Sequence, residues 1–192
     1  MEALFISTGV VALAEIGDKT QLFAFILAAR FKKPWPIIAG ILCATVVNHG
    51  LAGALGAWMT SAVSPGVLRW VLGVSFIGMA IWTLIPDKIE EEETQVARRF
   101  GVFGATLLTF FLAEMGDKTQ IATVAMAAHY ANPNWVVVGT TLGMLVADVP
   151  AVFVGDKLAN RIPMKLVHSI AAAIFAALGV ATLLGAGAGF GF

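Results

Sequence analysis

Six apolar runs, at 3–29, 35–61, 66–85, 100–128, 134–157 and 164–186, occupy most of this chain. Each reaches the roughly 20 residues a helix needs to cross about 30 Å of hydrocarbon. The separators are short and hold the helix breakers and charges: Arg30 to Pro36, Ser64 to Gly66, Pro86 to Arg99, Asn132 to Asn134 and Asn160 to Pro163. A soluble domain carries about 45–50% apolar and about 25% charged residues. Here 59% are hydrophobic and 12% charged, too few polar groups to wet a surface of this size. That balance also excludes a disordered chain. The alternating pattern of a β-barrel is absent. The expected fold is an all-α membrane protein with six transmembrane helices. Several runs exceed the length of a straight crossing, so tilt or a break is expected.

The chain also repeats itself. Residues 11–60 align without a gap on 110–159, at a constant offset of 99. Leu13-Ala14-Glu15 matches Leu112-Ala113-Glu114, and Gly17-Asp18-Lys19-Thr20-Gln21 matches Gly116-Asp117-Lys118-Thr119-Gln120. Ala28-Ala29, Pro34, Gly40 and Gly56 recur as Ala127-Ala128, Pro133, Gly139 and Gly155. Three crossings per repeat is an odd number, so the second repeat enters the bilayer from the opposite side. Inverted repeats of this kind are typical of secondary transporters. The expected division is 1–86 as the first three-helix repeat, 87–99 as a linker and 100–192 as the second repeat.

Lys and Arg set the orientation. Arg30, Lys32, Lys33, Lys88, Arg98, Arg99, Lys157, Arg161 and Lys165 fall on one side, Arg69 on the other, and Lys19 and Lys118 inside runs. The crowded side is expected to be the cytoplasm, with both termini outside and the 87–99 linker inside. The linker holds Glu90-Glu91-Glu92-Glu93. Its plain reading is a solvated connection; the functional one is an acidic collar that concentrates cations. The start, Met1-Glu2-Ala3, lacks the basic segment of a cleaved signal peptide, so none is expected.

Glu15 lies about 12 residues into the first run and Glu114 about 14 into the fourth, both near half-depth by the helical rise. On a regular helix Glu15 and Asp18 share a face, as do Glu114 and Asp117; Gln21 and Gln120 lie one step further round. Gly17 and Gly116 permit either close helix approach or a local break that frees backbone carbonyls. Four carboxylates and two lysines at this depth, each costing about 2.5–3.5 kcal/mol if unpaired, sum to about 15–20 kcal/mol. That exceeds the whole stability of an ordinary domain, about 5–15 kcal/mol. The groups must therefore meet one another or hold a charge. A buried lock of ion pairs between the repeats is the plain alternative, but two lysines cannot neutralise four acids. The surplus of two negative charges can be cancelled by one divalent cation or by two protons. Carboxylate and amide oxygens suit Mg²⁺, Ca²⁺ or Mn²⁺. The candidate ligands are Glu15, Asp18, Gln21, Glu114, Asp117 and Gln120.

Two copies of Glu-x-Gly-Asp-Lys-Thr in a chain of this length resemble the MneA-type manganese exporters of the calcium/manganese cation-antiporter family. The resemblance covers essentially the whole chain. It implies Mn²⁺ export coupled to proton entry, with Ca²⁺ as a transported ion in relatives, and an ion site lined by Glu15, Asp18, Glu114 and Asp117. The divalent ion would be cargo, and no resident cofactor is expected.

Secondary candidates are Asp148, Asn48, Lys19 and Lys118. Asp148 is the other deep acid, and its mate in the repeat is His49; together they suit a proton relay or an outer-shell role. The lysines would hold the site together when empty. Thr20 and Thr119 fall opposite the glutamates on a regular helix, which suggests hydrogen bonds to neighbouring helices. Met115 replaces Ile16 in the second motif and is read first as packing. Trp35, Trp70 and Trp135 read as interfacial anchors.

The residues predict a transporter of a hard divalent cation, and the resemblance implies an antiporter of the bacterial inner membrane that exports Mn²⁺ in exchange for H⁺. A divalent-cation channel using the same acids, or a Ca²⁺/H⁺ exchanger, is the alternative. An enzyme is not expected, because an acid and a base need unlike environments and the two motifs are nearly alike. Net charge is zero, so no field for nucleic acid exists. The single cysteine, Cys43, excludes a disulfide framework. The lipid bilayer, the cation and protons are the expected partners.

Overall fold

A computed structural model describes residues 1–85, 100–154 and 164–185. The 87–99 linker, Gly155, Lys157 and Arg161 lie outside the described residues. All regular structure among the described residues is helical, in eight segments: α1 (Glu2–Glu15), α2 (Lys19–Phe31), α3 (Pro34–Ala62), α4 (Pro65–Thr83), α5 (Gly101–Glu114), α6 (Lys118–His129), α7 (Pro133–Val154) and α8 (Met164–Leu183). Each helix start in the first set recurs 99 residues later in the second. Pro34, Pro65 and Pro133 open α3, α4 and α7, where the missing N–H costs nothing and the fixed φ favours helix.

The first and fourth apolar runs are not continuous helices. Each breaks after its glutamate. Gly17 and Gly116 adopt φ of +86° and +79°, a region nearly reserved for glycine, while Ile16 and Met115 are extended. Asp18 and Asp117 then sit at the N-caps of α2 and α6. At 1.5 Å per residue, α1 and α5 reach only about 21 Å each. Pro34–Ala62, Pro65–Thr83 and Pro133–Phe153 are long and apolar enough to cross a membrane.

Packing interleaves the repeats. α1 lies on α7, and its counterpart α5 lies on α3; α2 contacts α7, and α6 contacts α3. α4 and α8 pack against each other. Glycines make the close approaches. A Cβ on Gly40 would fall 2.9 Å from the Phe103 carbonyl oxygen, and one on Gly139 would fall 2.6 Å from that of Leu4. One on Gly56 would meet the Ala127 methyl at 2.8 Å. These three glycines act as expected from the sequence.

Burial departs from that of a soluble protein: the core is apolar, but large apolar side chains also lie outside and charged ones within. Leu51, Trp58, Val74, Ile81, Val146 and Phe153 are exposed, whereas Glu15, Asp18, Glu114, Asp117, Lys118 and Asp148 are buried. Trp35, Trp70 and Trp135 are exposed. Apolar outside and charged within, the bundle is built for lipid: this is an integral membrane protein.

Candidate functional site

The two breaks bring the motif residues together. At each, the Asp N–H reaches back to the glutamate carbonyl, at 3.0 Å for Asp18 to Glu15 and 3.1 Å for Asp117 to Glu114. The Gly17 N–H donates to Gln21 Oε1 at 3.0 Å, and the Gly116 N–H to Gln120 Oε1 at 2.7 Å. Gln21 also donates from Nε2 to the Ala147 carbonyl at 3.0 Å, tying the start of α2 to α7. The amide oxygens of the two glutamines are thus turned toward the breaks.

Thr20 Oγ1 donates to Glu15 Oε2 at 2.7 Å, and Thr119 Oγ1 to Glu114 Oε2 at 2.9 Å. A regular helix would have turned these threonines away. The positive φ at the glycine redirects the chain and folds each hydroxyl back over its own glutamate. The sequence signal was the five-residue spacing across a glycine, which helical periodicity passes over.

The lysines pair across the repeats. Lys118 Nζ lies 2.9 Å from Asp18 Oδ2, with side-chain exposures of 2% and 0%. Lys19 Nζ lies 3.9 Å from Asp117 Oδ1, at 18% and 4%. Each lysine therefore neutralises the aspartate of the other repeat, not its sequence neighbour. These pairs form a lock between the repeats, the plain alternative read from the sequence, and they engage only the aspartates.

Glu15 and Glu114 make no ion pair among the described residues. Both are fully buried, and among the described residues Oε1 of each has no hydrogen-bond partner. One carboxylate oxygen each from Glu15, Glu114 and Asp117 lie within 4.8 Å of one another. Such a triad, drawn from both repeats, could hold a divalent cation through hard oxygen ligands. Asp18 is engaged by Lys118 and by the Lys19 N–H, the latter at 2.7 Å.

The secondary candidates divide. Asp148 is buried, and neither of its oxygens has a hydrogen-bond partner among the described residues. Asn48 donates to the Phe111 carbonyl at 3.1 Å, joining α3 to α5 just before Glu114. His49 is buried. Met115 is exposed. His129 stands edge-on between Phe76 and Tyr130.

A helical bundle that is apolar to its surroundings and acidic at two paired breaks is the architecture of an ion-handling membrane protein. The family described as "Divalent cation/proton antiporter GDT1" matches residues 3–91 and 102–189. A Vibrio cholerae protein described as "Putative manganese exporter" is 51% identical over 183 residues, covering 95% of this chain and 90% of the relative. GDT1-like protein 3 of Oryza sativa subsp. indica is 30% identical over 207 residues, covering 94% and 73%. GDT1-like protein 5 of Arabidopsis thaliana is 27% identical over 215 residues, covering 93% of each. No solved structure matches. The chain belongs to the GDT1 family of divalent cation/proton antiporters.

Proposed function

We propose that the chain exports Mn²⁺ from the cytoplasm in exchange for protons, with the cation held between Glu15 and Glu114 and completed by Asp117. The carrying observation is the convergence of these three buried carboxylates, once the crossed lysines have accounted for the aspartates. One divalent ion cancels the two remaining charges, and so do two protons. Occupancy by either leaves the buried cluster neutral, which is what an exchanger in a low-dielectric medium requires. Oxygen-only ligation favours Mn²⁺, Ca²⁺ or Mg²⁺. The description of the Vibrio cholerae relative supports Mn²⁺ among them. The ion is cargo, and no resident cofactor enters the reading.

The proposed topology has six crossings in two inverted repeats. α1 with α2, and α5 with α6, each supply one crossing broken at half-depth. Both termini lie outside, and the 87–99 linker is cytoplasmic, in a bacterial inner membrane. The repeats rock about the shared site, exposing it to each side in turn.

The test is Mn²⁺ uptake into inside-out vesicles with an acidic lumen, with Ca²⁺ and Mg²⁺ in parallel. Uptake should collapse when the pH gradient is dissipated, and Glu15→Gln or Glu114→Gln should abolish it while the protein still inserts. Uptake indifferent to the gradient would identify a channel, and a higher rate for Ca²⁺ would change the cargo.

A further inference from the structure

We propose that Asn48 is a positioning residue of the cation site, which holds Glu114 in place from the opposite repeat and so favours the smaller divalent ions; this rests on the site reading above. Asn48 lies in the middle of α3 and is fully buried. Its Nδ2 donates to the Phe111 carbonyl at 3.1 Å. Phe111 stands in the last turn of α5, one turn before Glu114.

The two breaks differ at this carbonyl. At the end of α1 the Ile16 N–H reaches back to the Ala12 carbonyl, at 3.2 Å. At the end of α5 the Met115 N–H reaches one residue less far, to Leu112, at 3.3 Å. Phe111 is the counterpart of Ala12 at the offset of 99; it bonds Asn48 where Ala12 bonds Ile16. Within a bilayer no water is at hand for a released carbonyl, so an amide from a neighbouring helix is what permits the tighter end.

The counterpart of Asn48 itself is Ala147. Its side chain has nothing to donate, and its carbonyl accepts from Gln21 at 3.0 Å. One position on α3 and α7 thus grips a break in each repeat, but on different arms. Ala147 grips the arm that Asp18 begins, whereas Asn48 grips the arm that carries Glu114. Gly40, earlier on α3, seats the start of α5 by its close approach to Phe103, so α3 fixes α5 near both ends.

Glu114 supplies one oxygen of the triad with Glu15 and Asp117. A fixed α5 end keeps that oxygen at its distance from the other two. Ca²⁺ takes oxygens at about 2.3–2.6 Å in flexible geometry, whereas a smaller ion needs them closer and more strictly placed. A loosened Glu114 therefore penalises Mn²⁺ more than Ca²⁺.

The experiment uses the purified full chain and has one arm that needs no ion: amide hydrogen exchange across 111–117 and across 12–18. The other arm is titration with Mn²⁺ and with Ca²⁺. Asn48→Leu keeps the volume and removes the donor, and Asn48→Ala places there the residue type that the other repeat carries. In each, amide exchange across 111–117 should speed at least fivefold, with 12–18 within twofold of the parent. The dissociation constant should rise at least tenfold for Mn²⁺ and no more than threefold for Ca²⁺. Asn48→Gln, which keeps the donor, should return the Mn²⁺ constant to within threefold of the parent. Unchanged amide exchange across 111–117, an unchanged Mn²⁺ constant, or an equal loss of both ions overturns the proposal. Failure of both Asn48→Leu and Asn48→Ala to fold does the same, because it makes Asn48 a residue of the packing. If the parent chain binds neither ion, the site reading itself fails, whatever the amide exchange shows.

Discussion

Thr20 and Thr119 each fix one oxygen of a glutamate and leave the other facing the shared space. A hydrogen bond to a charged group contributes about 1.5–3 kcal/mol, enough to decide where the carboxylate points. Thr20→Val should weaken Mn²⁺ binding about tenfold, an effect of about 1.4 kcal/mol, and Thr20→Ser should recover most of it. Titration of purified protein with Mn²⁺ measures both. Recovery by serine separates the hydroxyl from the methyl, because valine keeps the shape and loses only the donor. At this scale the sequence was partly legible. Charge arithmetic singled out Glu15, Asp18, Glu114 and Asp117 because ionised groups at half-depth are costly. It left the threonines facing away, because helical periodicity assumes a continuous helix.

The break is the property of the element, and Gly17 and Gly116 make it. An alanine at either position would have to adopt a left-handed φ, costing about 1–2 kcal/mol, or else let the helix run on. Running on would turn Thr20 off Glu15 and abolish the cap at Asp18. Gly17→Ala is expected to insert normally yet lose Mn²⁺ binding, read by titration beside circular dichroism, which should show equal or greater helicity. Gly40→Ala and Gly139→Ala act differently, because each adds a methyl against a neighbouring backbone carbonyl. Overpacking of this kind costs about 1–3 kcal/mol and should lower the thermal midpoint in detergent. Helix starts were legible from the prolines. Helix interruption was legible as one of two options at Gly17 and Gly116, since a glycine in an apolar run serves close packing as readily as a turn, and only neighbouring contacts decide between them.

Across the whole molecule, the crossed ion pairs bind the two repeats to each other. Removing one partner of a buried pair leaves an uncompensated charge at a cost of about 3–5 kcal/mol. Lys118→Met should therefore destabilise more than Lys19→Met, whose pair is longer and partly exposed. The double variant Lys118→Met with Asp18→Asn should regain part of the loss, measured as a thermal midpoint with and without Mn²⁺. In the proposed exchange, proton and cation compete for the same carboxylates, so acid should weaken Mn²⁺ binding. With two protons displaced per ion, the dissociation constant should change by up to about 100-fold per pH unit where both are titrating. The repeat was plain in the sequence from the offset of 99. The pairing of each lysine with the opposite repeat was not, because alignment shows which residues correspond and says nothing of which ones touch.

The interleaving of α1 on α7 and α5 on α3 has a consequence for biogenesis. When the ribosome has delivered the first four helices, Glu15 and Asp18 are already committed to the bilayer, yet Lys118 and the long helix that covers them have not been made. The nascent half must wait, exposed to quality control, for its complement to emerge. Residues 1–99 produced alone should be degraded rapidly, and supplying 100–192 as a separate chain in the same cell should rescue them, with pulse-chase half-life as the readout.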